Sequence, residues 1–323
     1  MTRHHDTPAG RPATPSLPVR TVEVRAVRRL TPRMVRVTFG DPASAALVGD
    51  APDQQVKLYF PRPGQRVPRL PETGTDGDVM RWYGAFQEIP EEERPWTRSY
   101  TVRGHDPARG TVDVDFLLHD GAAAGRGDGS GGGSGDGAGE RSGVRSGEGP
   151  ATRWARSARV GDVLGMFGPS AYFAEPVPLG TTDWTLLAGD ASALPAIGTI
   201  VEALPAGARA LVYVEVWDAA EEQRLASAGE VTVRWLHRSP AAGEVPSLVE
   251  AVRGAQFPAG SVFAWLGGEA GAVRALRRHL LGERGVDRRS VHFTGYWRRG
   301  LTHDDAPTET DLAEARQRLA DRA

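Results

Sequence analysis

Arg98, Ser99, Tyr100 and Thr101 form the stretch of the chain whose residue types are most suggestive of chemistry. Side chains alternate along an extended segment, so Arg98 and Tyr100 are expected to point to the same face. An arginine fork binds pyrophosphate oxygens and an aromatic ring stacks on a planar group, so this face suits a cofactor that carries both. An ordinary amphipathic strand with a core tyrosine has the same pattern, and the four residues alone leave both interpretations open.

Acidic and glycine residues in the second half of the chain follow short apolar runs, where strands are expected to end. Asp190 follows the first run, where parallel sheets bind dinucleotides, but a carboxylate at this point also caps a helix. Glu215 and Asp218 lie at the end of the next run and suit hydrogen bonds to an adenosine ribose. They would repel a 2′-phosphate and so favour NADH, although a solvated acidic strand end has the same appearance. Gly268, followed by Glu269, allows either close approach to a ligand or a simple turn.

Three further groups have both a functional and a plain structural interpretation. His119 precedes an Asp-Gly turn and is either part of a cofactor site or a surface histidine. Residues 149–152 begin an amphipathic segment whose backbone amides and Thr152 hydroxyl suit a pyrophosphate, although any helix start looks similar. Trp297, next to Tyr296, either borders a cofactor or packs between two domains.

The composition excludes several classes of chemistry. The chain has no cysteine, which excludes disulfides, thiolate metal sites, cysteine-ligated iron–sulfur clusters and cysteine nucleophiles. Any redox chemistry must therefore come from a bound organic cofactor, and we expect no metal site built from protein ligands. A balance of 39 basic and 41 acidic residues gives a formal charge of -2, which disfavours nucleic acid as a partner. No apolar run approaches the roughly 20 residues of a membrane helix, so we expect no membrane insertion.

Six short apolar or β-branched segments, interrupted by proline and glycine, fill the first half of the chain. They predict strands at residues 21–27, 34–39, 56–60, 99–103, 111–119 and 162–167, without helices between them. Short strands separated by turn signals favour a six-stranded antiparallel β-barrel.

The periodicity changes after about residue 182. Apolar runs predict strands at residues 184–188, 210–217, 231–236, 261–266 and 290–294, and helical spacing predicts helices around 197–204, at 247–254 and at 272–283. Strands that alternate with helices favour a five-stranded parallel, doubly wound sheet. The predicted fold is therefore a two-domain β plus α/β arrangement.

Low-complexity segments interrupt and flank these domains. Glycine makes up 13 of the 29 residues from 121 to 149, and such a composition buries too little apolar surface to offset the entropy of ordering. We therefore predict a disordered insertion at 122–148. The predicted organisation is a disordered tail at 1–18, a barrel domain at 19–178, an α/β domain at 182–302 and a charged C-terminal helix at 308–323.

A series of sequence words resembles the siderophore-interacting protein family, a branch of the flavin reductases related to ferredoxin-NADP reductase. Residues 98–101 match the R-x-Y-[ST] pattern of flavin-binding barrels, and the words that follow in order are VDFLLHDG, GPATRWA, GDVLGMFGP, LLAGDASALPAI, VEVWD, WLGGEA, LRRHL, ERGVDR and GYWRRG. The resemblance covers roughly residues 19–300. The chain departs from the family pattern at the glycine-rich insertion, which separates His119 from the Gly-Pro word that usually follows almost directly.

The resemblance implies FAD in the barrel, NADH or NADPH in the second domain and a ferric siderophore as electron acceptor. Thr101 would approach the flavin N5, so Tyr100 and Thr101 are the implied catalytic residues. The residues implied to bind FAD are Arg98, Ser99, Tyr100, Thr101, His119, Gly149, Pro150, Ala151 and Thr152. Those implied for the nicotinamide cofactor are Asp190, Ala193, Leu194, Glu215, Gly268, Glu269 and Trp297. Lys57, the only lysine, and Arg298 would contact the ferric chelate, although most charged strand residues are merely solvated.

The expected function is that of a cytoplasmic flavin reductase that passes electrons from NAD(P)H through FAD to Fe(III) in a ferric siderophore, releasing Fe(II). One alternative is a flavin reductase whose redox partner is a ferredoxin or another protein. Another is a flavin-containing protein that binds siderophores without turnover.

Overall fold

Six antiparallel strands close into a barrel in the first half of the chain, in the order β1-β2-β5-β4-β3-β6. The strands are β1 (Arg20–Thr31), β2 (Met34–Gly40), β3 (Gln55–Phe60), β4 (Trp96–Asp106), β5 (Thr111–Leu117) and β6 (Val163–Phe167). The structure, a computed structural model, describes residues 19–43, 48, 51–72, 79–119, 149–169, 176–243 and 245–299. The predicted six-stranded antiparallel barrel is confirmed.

Alternating side chains build the barrel interior. On β5, Val112, Val114 and Phe116 are at most 1% exposed, as the alternation of the sequence predicts. They meet Val56 and Leu58 of β3 in one apolar core. Each such side chain contributes about 1.5–3 kcal/mol when it leaves water, so the barrel has a substantial core of its own.

One helix in the barrel half was missed by the sequence analysis. Helix α1 (Val79–Gln87) lies between β3 and β4, so the prediction of strands without helices was wrong. Trp82 and Phe86, one turn apart, stack on each other and pack edge-on against Tyr59 on the outer face of β3. Their four-residue spacing is the helical signal, but a single repeat in nine residues is too short to stand out.

The second half of the chain forms a five-stranded parallel sheet with the order β11-β10-β7-β8-β9. Its strands are β7 (Trp184–Asp190), β8 (Arg209–Val216), β9 (Glu230–His237), β10 (Val262–Glu269) and β11 (Val291–Trp297). The connecting helices are α3 (Leu194–Glu202), α4 (Leu248–Arg253) and α5 (Ala270–Gly282), and α2 (Pro150–Ser157) precedes β6 in the barrel half. The predicted parallel sheet is confirmed.

Helices cover both faces of this sheet, which explains why its central strands are apolar throughout. Leu187 of β7 packs with α3 on one face, whereas Leu186 and Ala188 pack with α4 and α5 on the other. A strand that is buried on both faces reads as a continuous apolar run. The carboxyl ends of β7, β10 and β11 meet at one edge, which faces the barrel.

Three predicted segments fall outside the described residues: the tail at 1–18, the insertion at 122–148 and the C-terminal helix at 308–323. Within the described part of the chain, every helix is too short or too polar to span a lipid bilayer. That same part contains no cluster of histidine and carboxylate side chains suited to a metal ion.

Candidate functional site

Strand β4 displays the R-x-Y-T residues on two faces. Arg98 pairs with Leu58 and Tyr100 with Val56, both of which point into the barrel, so Arg98 and Tyr100 share the inner face as predicted. Thr101 lies on the outer face and is 8% exposed, whereas Ser99 is exposed. The strand therefore separates a cation and a ring on one side from a buried hydroxyl on the other.

The amino-terminal half of β4 has one open edge. Its ladder to β5 covers only Val102 to Asp106, whereas residues 96–101 pair with β3 alone within the described chain. Beside this opening the Tyr100 ring lies 4.5 Å from that of Phe116, tilted by 46°. Burial raises the pKa of Tyr100, so its hydroxyl stays protonated at neutral pH. An opening lined by an arginine and an aromatic cluster can accept a planar cofactor.

Helix α2 begins next to the same end of the barrel. Gly149 is its extended N-cap, without a side-chain cap, and Pro150 is its first residue. Ala151 and Thr152 are buried, and Trp154 packs with the aromatic cluster of the barrel. The unpaired amides at this helix start suit an anionic group. Only backbone N–H groups of this helix start are accessible to such an anion, because the Thr152 side chain is buried at 7% exposure.

His119 and Lys57 are two further predicted site residues in the barrel half. His119 is exposed, and its backbone carbonyl accepts a hydrogen bond of 3.4 Å from Arg156 of α2, which brings the two flanks of the glycine-rich insertion together. Lys57 lies between Ser99 and Phe167 in the ladders of β3. Burial lowers the pKa of Lys57, which distinguishes it from a fully solvated surface lysine.

The Asp190 carboxylate is already fully engaged by the protein. One oxygen accepts hydrogen bonds of 2.8 Å and 2.5 Å from the backbone and side chain of Ser192. The other accepts 2.8 Å hydrogen bonds from the Glu269 backbone and from Trp297 Nε1. Asp190 thus ties together the ends of β7, β10 and β11, which is more than the helix cap that the sequence allowed.

Gly268 is required by this arrangement. Its φ is +125°, and a Cβ at this position would lie 2.5 Å from the Asp190 carboxylate. Glu269 caps α5 by accepting a 2.8 Å hydrogen bond from Ala272. Ala193 and Leu194, at the start of α3, are buried in the core of the sheet. These residues therefore shape the strand ends, and Trp297 and the half-buried Arg298 lie at their rim.

The end of β8 is also occupied by protein contacts. Glu215 accepts a 3.1 Å hydrogen bond from Leu248 at the start of α4 and lies 3.7 Å from Arg238. Asp218 caps a short 3₁₀ turn at Ala219–Glu221. Arg33, from the β1–β2 turn of the barrel, lies 4.1 Å over the Trp217 ring. The predicted preference for NADH rested on the free carboxylates of Glu215 and Asp218, and in the structure both carboxylates are used in protein contacts.

Contacts between the two halves are what the sequence analysis missed. Thr31 donates a 2.5 Å hydrogen bond to the buried Glu221, and Arg103 of β4 pairs with Glu202 of α3 across 2.5 Å. A third contact joins Trp265 of β10 to Asp53, at 2.9 Å. The partners are about 100 to 210 residues apart in the chain, so no local pattern identifies them.

The residues at the barrel opening fit FAD. A guanidinium and free helix amides are donors suited to a pyrophosphate, and the aromatic cluster offers a flat apolar wall. The hydroxyl of Tyr296, on β11, is buried and lies beside Thr101 on the outer side of β4.

Comparisons with known proteins agree with this geometry. Residues 23–173 match the siderophore-interacting FAD-binding domain and residues 182–300 match the siderophore-interacting protein family model. A siderophore utilization protein from T. fusca is 34% identical with a TM-score of 0.64, over 90% of this chain and 96% of that one. The siderophore-interacting protein SipS from Aeromonas hydrophila is 27% identical with a TM-score of 0.64, over 95% of this chain and 100% of that one.

A relative with a named activity is the ferric vibriobactin reductase ViuB of Vibrio cholerae, which is 29% identical over 84% of this chain and 86% of its own length. The resemblance inferred from the sequence words is thereby confirmed. The barrel half carries the FAD-binding domain, and the chain belongs to the siderophore-interacting protein family.

Proposed function

We propose that this protein is a cytoplasmic FAD-dependent ferric-siderophore reductase that takes electrons from NADH or NADPH. The observation that supports the proposal best is the position of Thr101. This residue of the flavin motif faces Tyr296, at the strand ends of the second domain. Dinucleotides bind at such strand ends in parallel sheets, so donor and flavin would meet across this contact. The activity named for ViuB supports the choice of acceptor.

In the barrel, Arg98 and the backbone N–H groups of Gly149, Ala151 and Thr152 would hold the FAD pyrophosphate, whereas Pro150 has no N–H to donate. Tyr100, which packs on Phe116, would lie against the ring system, with Ser99 and His119 at its margins. FAD, when bound, accepts a hydride and gives up single electrons. The aromatic cluster would keep water from one side of a bound ring system, which limits side reactions of a reduced cofactor.

In the second domain, the proposed nicotinamide site lies against Gly268 and Trp297. Asp190, Glu215 and Glu269 act there by holding the strand ends and helix starts in position, since their carboxylates already accept hydrogen bonds from the protein. Buried Ala193 and Leu194 support the same edge from below. The preference for NADH stays a prediction, to be decided by steady-state comparison with NADPH.

Lys57 and Arg298 are the cations proposed to attract an anionic ferric chelate. Reduction lowers the affinity of hard oxygen donors for the metal, so Fe(II) leaves its chelator more easily than Fe(III). We propose domain limits of 19–178 and 182–302 for the two units.

An anaerobic stopped-flow experiment tests the proposal. FAD-loaded protein is mixed with NADH, NADPH or reduced ferredoxin, and then with a ferric hydroxamate or catecholate chelate in the presence of an Fe(II) indicator. We expect NADH or NADPH to bleach the flavin and the chelate to restore its colour with release of Fe(II). Bleaching without Fe(II) would favour a protein-coupled reductase. Absence of bleaching with every donor would favour a siderophore-binding protein without turnover.

A further inference from the structure

The strand order of the parallel sheet determines where the two halves of a bound dinucleotide would lie. The order reverses between β7 and β10, so β8 and β9 lie on one side of this point and β10 and β11 on the other. Dinucleotides bind across such a reversal, at the carboxyl ends of the strands. The proposed nicotinamide site is at Gly268 and Trp297, on β10 and β11. The adenosine half of the donor would therefore lie over the ends of β8 and β9.

The ends of β8 and β9 bring two opposite charges together. Val216 pairs with His237 in the parallel ladder, so Glu215 and Arg238 lie on neighbouring strand ends. Arg238 Nε is 3.7 Å from Glu215 Oε2. The backbone N–H of Arg238 donates to the carbonyls of Val216 and Trp217, both at 3.0 Å, which fixes the position of this arginine.

Both charged side chains keep a part that a ligand can reach. Glu215 Oε2 accepts a 3.1 Å hydrogen bond from the Leu248 N–H, and Arg238 Nη1 donates one of 3.1 Å to the Val245 carbonyl. The side chains are nevertheless 27% exposed for Glu215 and 42% exposed for Arg238. Because Nη2 of Arg238 takes part in neither contact, one arm of the guanidinium is open to a bound anion.

The surrounding acidic groups are held by local partners. Three further carboxylates lie near these strand ends, and their partners are the Ala220 N–H for Asp218, the His237 ring for Glu222, and the backbone and hydroxyl of Ser247 for Glu250. The ion pair of Glu215 and Arg238 therefore determines most of the charge that an adenosine ribose would meet at this edge.

The two candidate donors differ at the position that this pair would face. NADH has a hydroxyl at the adenosine 2′ position, and NADPH has a phosphate there. A carboxylate repels the 2′-phosphate, whereas the planar fork of an arginine binds it. Resting on the proposed function, we infer that Arg238 is the residue that admits the 2′-phosphate of NADPH and that the charge of Glu215 opposes it.

The balance within this ion pair sets the discrimination between the two donors. The sequence-based preference for NADH considered only the acidic residues at the end of β8. Arg238 comes from the end of the next strand, and it meets Glu215 because β8 and β9 pair in parallel. The wild type is therefore expected to bind both donors, because each charge of the pair is opposed by the other.

Nucleotide binding to the purified protein tests the inference without any redox step. The two ligands are adenosine 2′,5′-bisphosphate and 5′-AMP, which differ only in the 2′-phosphate, and isothermal titration at constant ionic strength measures their affinities. Arg238→Gln is expected to weaken the bisphosphate about 10- to 100-fold, as for loss of a charge-assisted hydrogen bond, and to bind 5′-AMP as the wild type does.

Two further variants complete the titration. Glu215→Gln keeps an acceptor for the Leu248 N–H and removes the negative charge, so it should bind the bisphosphate about 2- to 5-fold more tightly. Arg234→Gln is the matched control, because Arg234 is an exposed arginine within β9 and receives the same substitution. It should bind both nucleotides as the wild type does.

Steady-state kinetics of the FAD-loaded protein give a second readout. Arg238→Gln should raise the KM for NADPH and leave its kcat and both constants for NADH close to the wild-type values. This split is expected because Arg238 would contact the adenosine half of the donor, away from the nicotinamide that reacts with the flavin.

The outcomes distinguish this inference from the proposed function. A wild type that does not bind the bisphosphate, or an Arg238→Gln protein that binds it as tightly as the wild type, would overturn the role of Arg238. If Arg238→Gln does not fold, an unchanged bisphosphate affinity in Glu215→Gln overturns the inference instead. If the nucleotides bind as expected but neither donor bleaches the flavin, the proposed function fails and the assignment of Arg238 stands.

Discussion

Arg98 and Tyr100 are the two residues on which the proposed cofactor site depends most. Their shared inner face follows from strand alternation and from pairing with Leu58 and Val56. A charge-assisted hydrogen bond contributes about 1.5–3 kcal/mol, which corresponds to roughly a 10- to 100-fold change in affinity.

Arg98→Ala is therefore expected to bind FAD roughly 10- to 100-fold more weakly while the fold is retained. Isothermal titration of the apoprotein with FAD measures the affinity, and circular dichroism monitors the fold. Arg28→Ala is the control, because Arg28 is an exposed arginine on β1. An unchanged FAD affinity in Arg98→Ala would remove Arg98 from the cofactor site.

A second prediction at this scale concerns Asp53 in the FAD-free protein. Its pKa is raised from 3.8 to about 6 by burial, so between these values the folded protein binds more protons than the unfolded chain. The contribution of Asp53 to the free energy of unfolding therefore falls as pH rises from about 4 to 6. Urea unfolding at several pH values should show that Asp53→Asn gains stability relative to the wild type across this window.

Asp183 provides a control of opposite sign. Hydrogen bonds from Ser261 lower the pKa of Asp183 below 3.8. The ionised carboxylate therefore adds to the free energy of unfolding above that pH, and this contribution is lost as pH falls. Asp183→Asn should therefore lose stability relative to the wild type at neutral pH and approach it in acid. If the free energies of unfolding of both variants changed with pH in the same way, the raised pKa of Asp53 would be contradicted.

Among the elements, α2 and the end of β5 lie at the barrel opening and are the two flanks of the insertion. The hydrogen bond from Arg156 to the His119 carbonyl, at 3.4 Å, holds those flanks near each other. Loop closure changes by only about 0.6 kcal/mol for each doubling of loop length. A shortened connection is therefore compatible with the same barrel.

Deletion of residues 122–148, which joins Gly121 to Gly149, is expected to leave the melting temperature and FAD content close to those of the wild type. Thermal unfolding and the flavin absorbance of the purified protein are the measurements. Retained FAD with altered ferric-chelate turnover would indicate a role in admitting the chelate. Loss of FAD would show that the insertion contains part of the cofactor site.

At the scale of the whole molecule, polar contacts fix the two domains against each other. Glu221 is 5% exposed and accepts hydrogen bonds from Thr31 at 2.5 Å and from the Arg33 backbone at 3.3 Å, both from the barrel. Leaving such buried donors without an acceptor costs about 1–3 kcal/mol. The relative position of flavin motif and strand ends thus depends on a few long-range contacts.

Glu221→Ala should lower the free energy of unfolding by about 1–3 kcal/mol and weaken coupling between donor and flavin. Urea unfolding measures the first effect, and the rate of flavin bleaching by NADH measures the second. Glu230→Ala, at an exposed position on β9, is the control. Equal stability of the two variants would show that the Glu221 contact does not hold the domains.

Local patterns in the sequence predict the strands of both sheets and the inner face of the flavin motif. These follow from local periodicity, because a strand with one buried face alternates, as on β5, and a strand buried on both faces is apolar throughout, as on β7. Helix α1 was not predicted because Trp82 and Phe86 provide only one repeat of the helical spacing in nine residues.

Which polar residues contact each other depends on the tertiary structure. The sequence around Asp190 is also typical of a helix cap. In the structure, where β10 and β11 lie beside β7, its carboxylate accepts hydrogen bonds from the ends of both strands. Asp53 carries no local signal, since its partner Trp265 is 212 residues away and its burial exists only after the domains dock. Hydrophobic periodicity is a property of a short segment, whereas the pairing of buried polar atoms depends on the position of every element, and for that reason only the first can be derived from neighbouring residues.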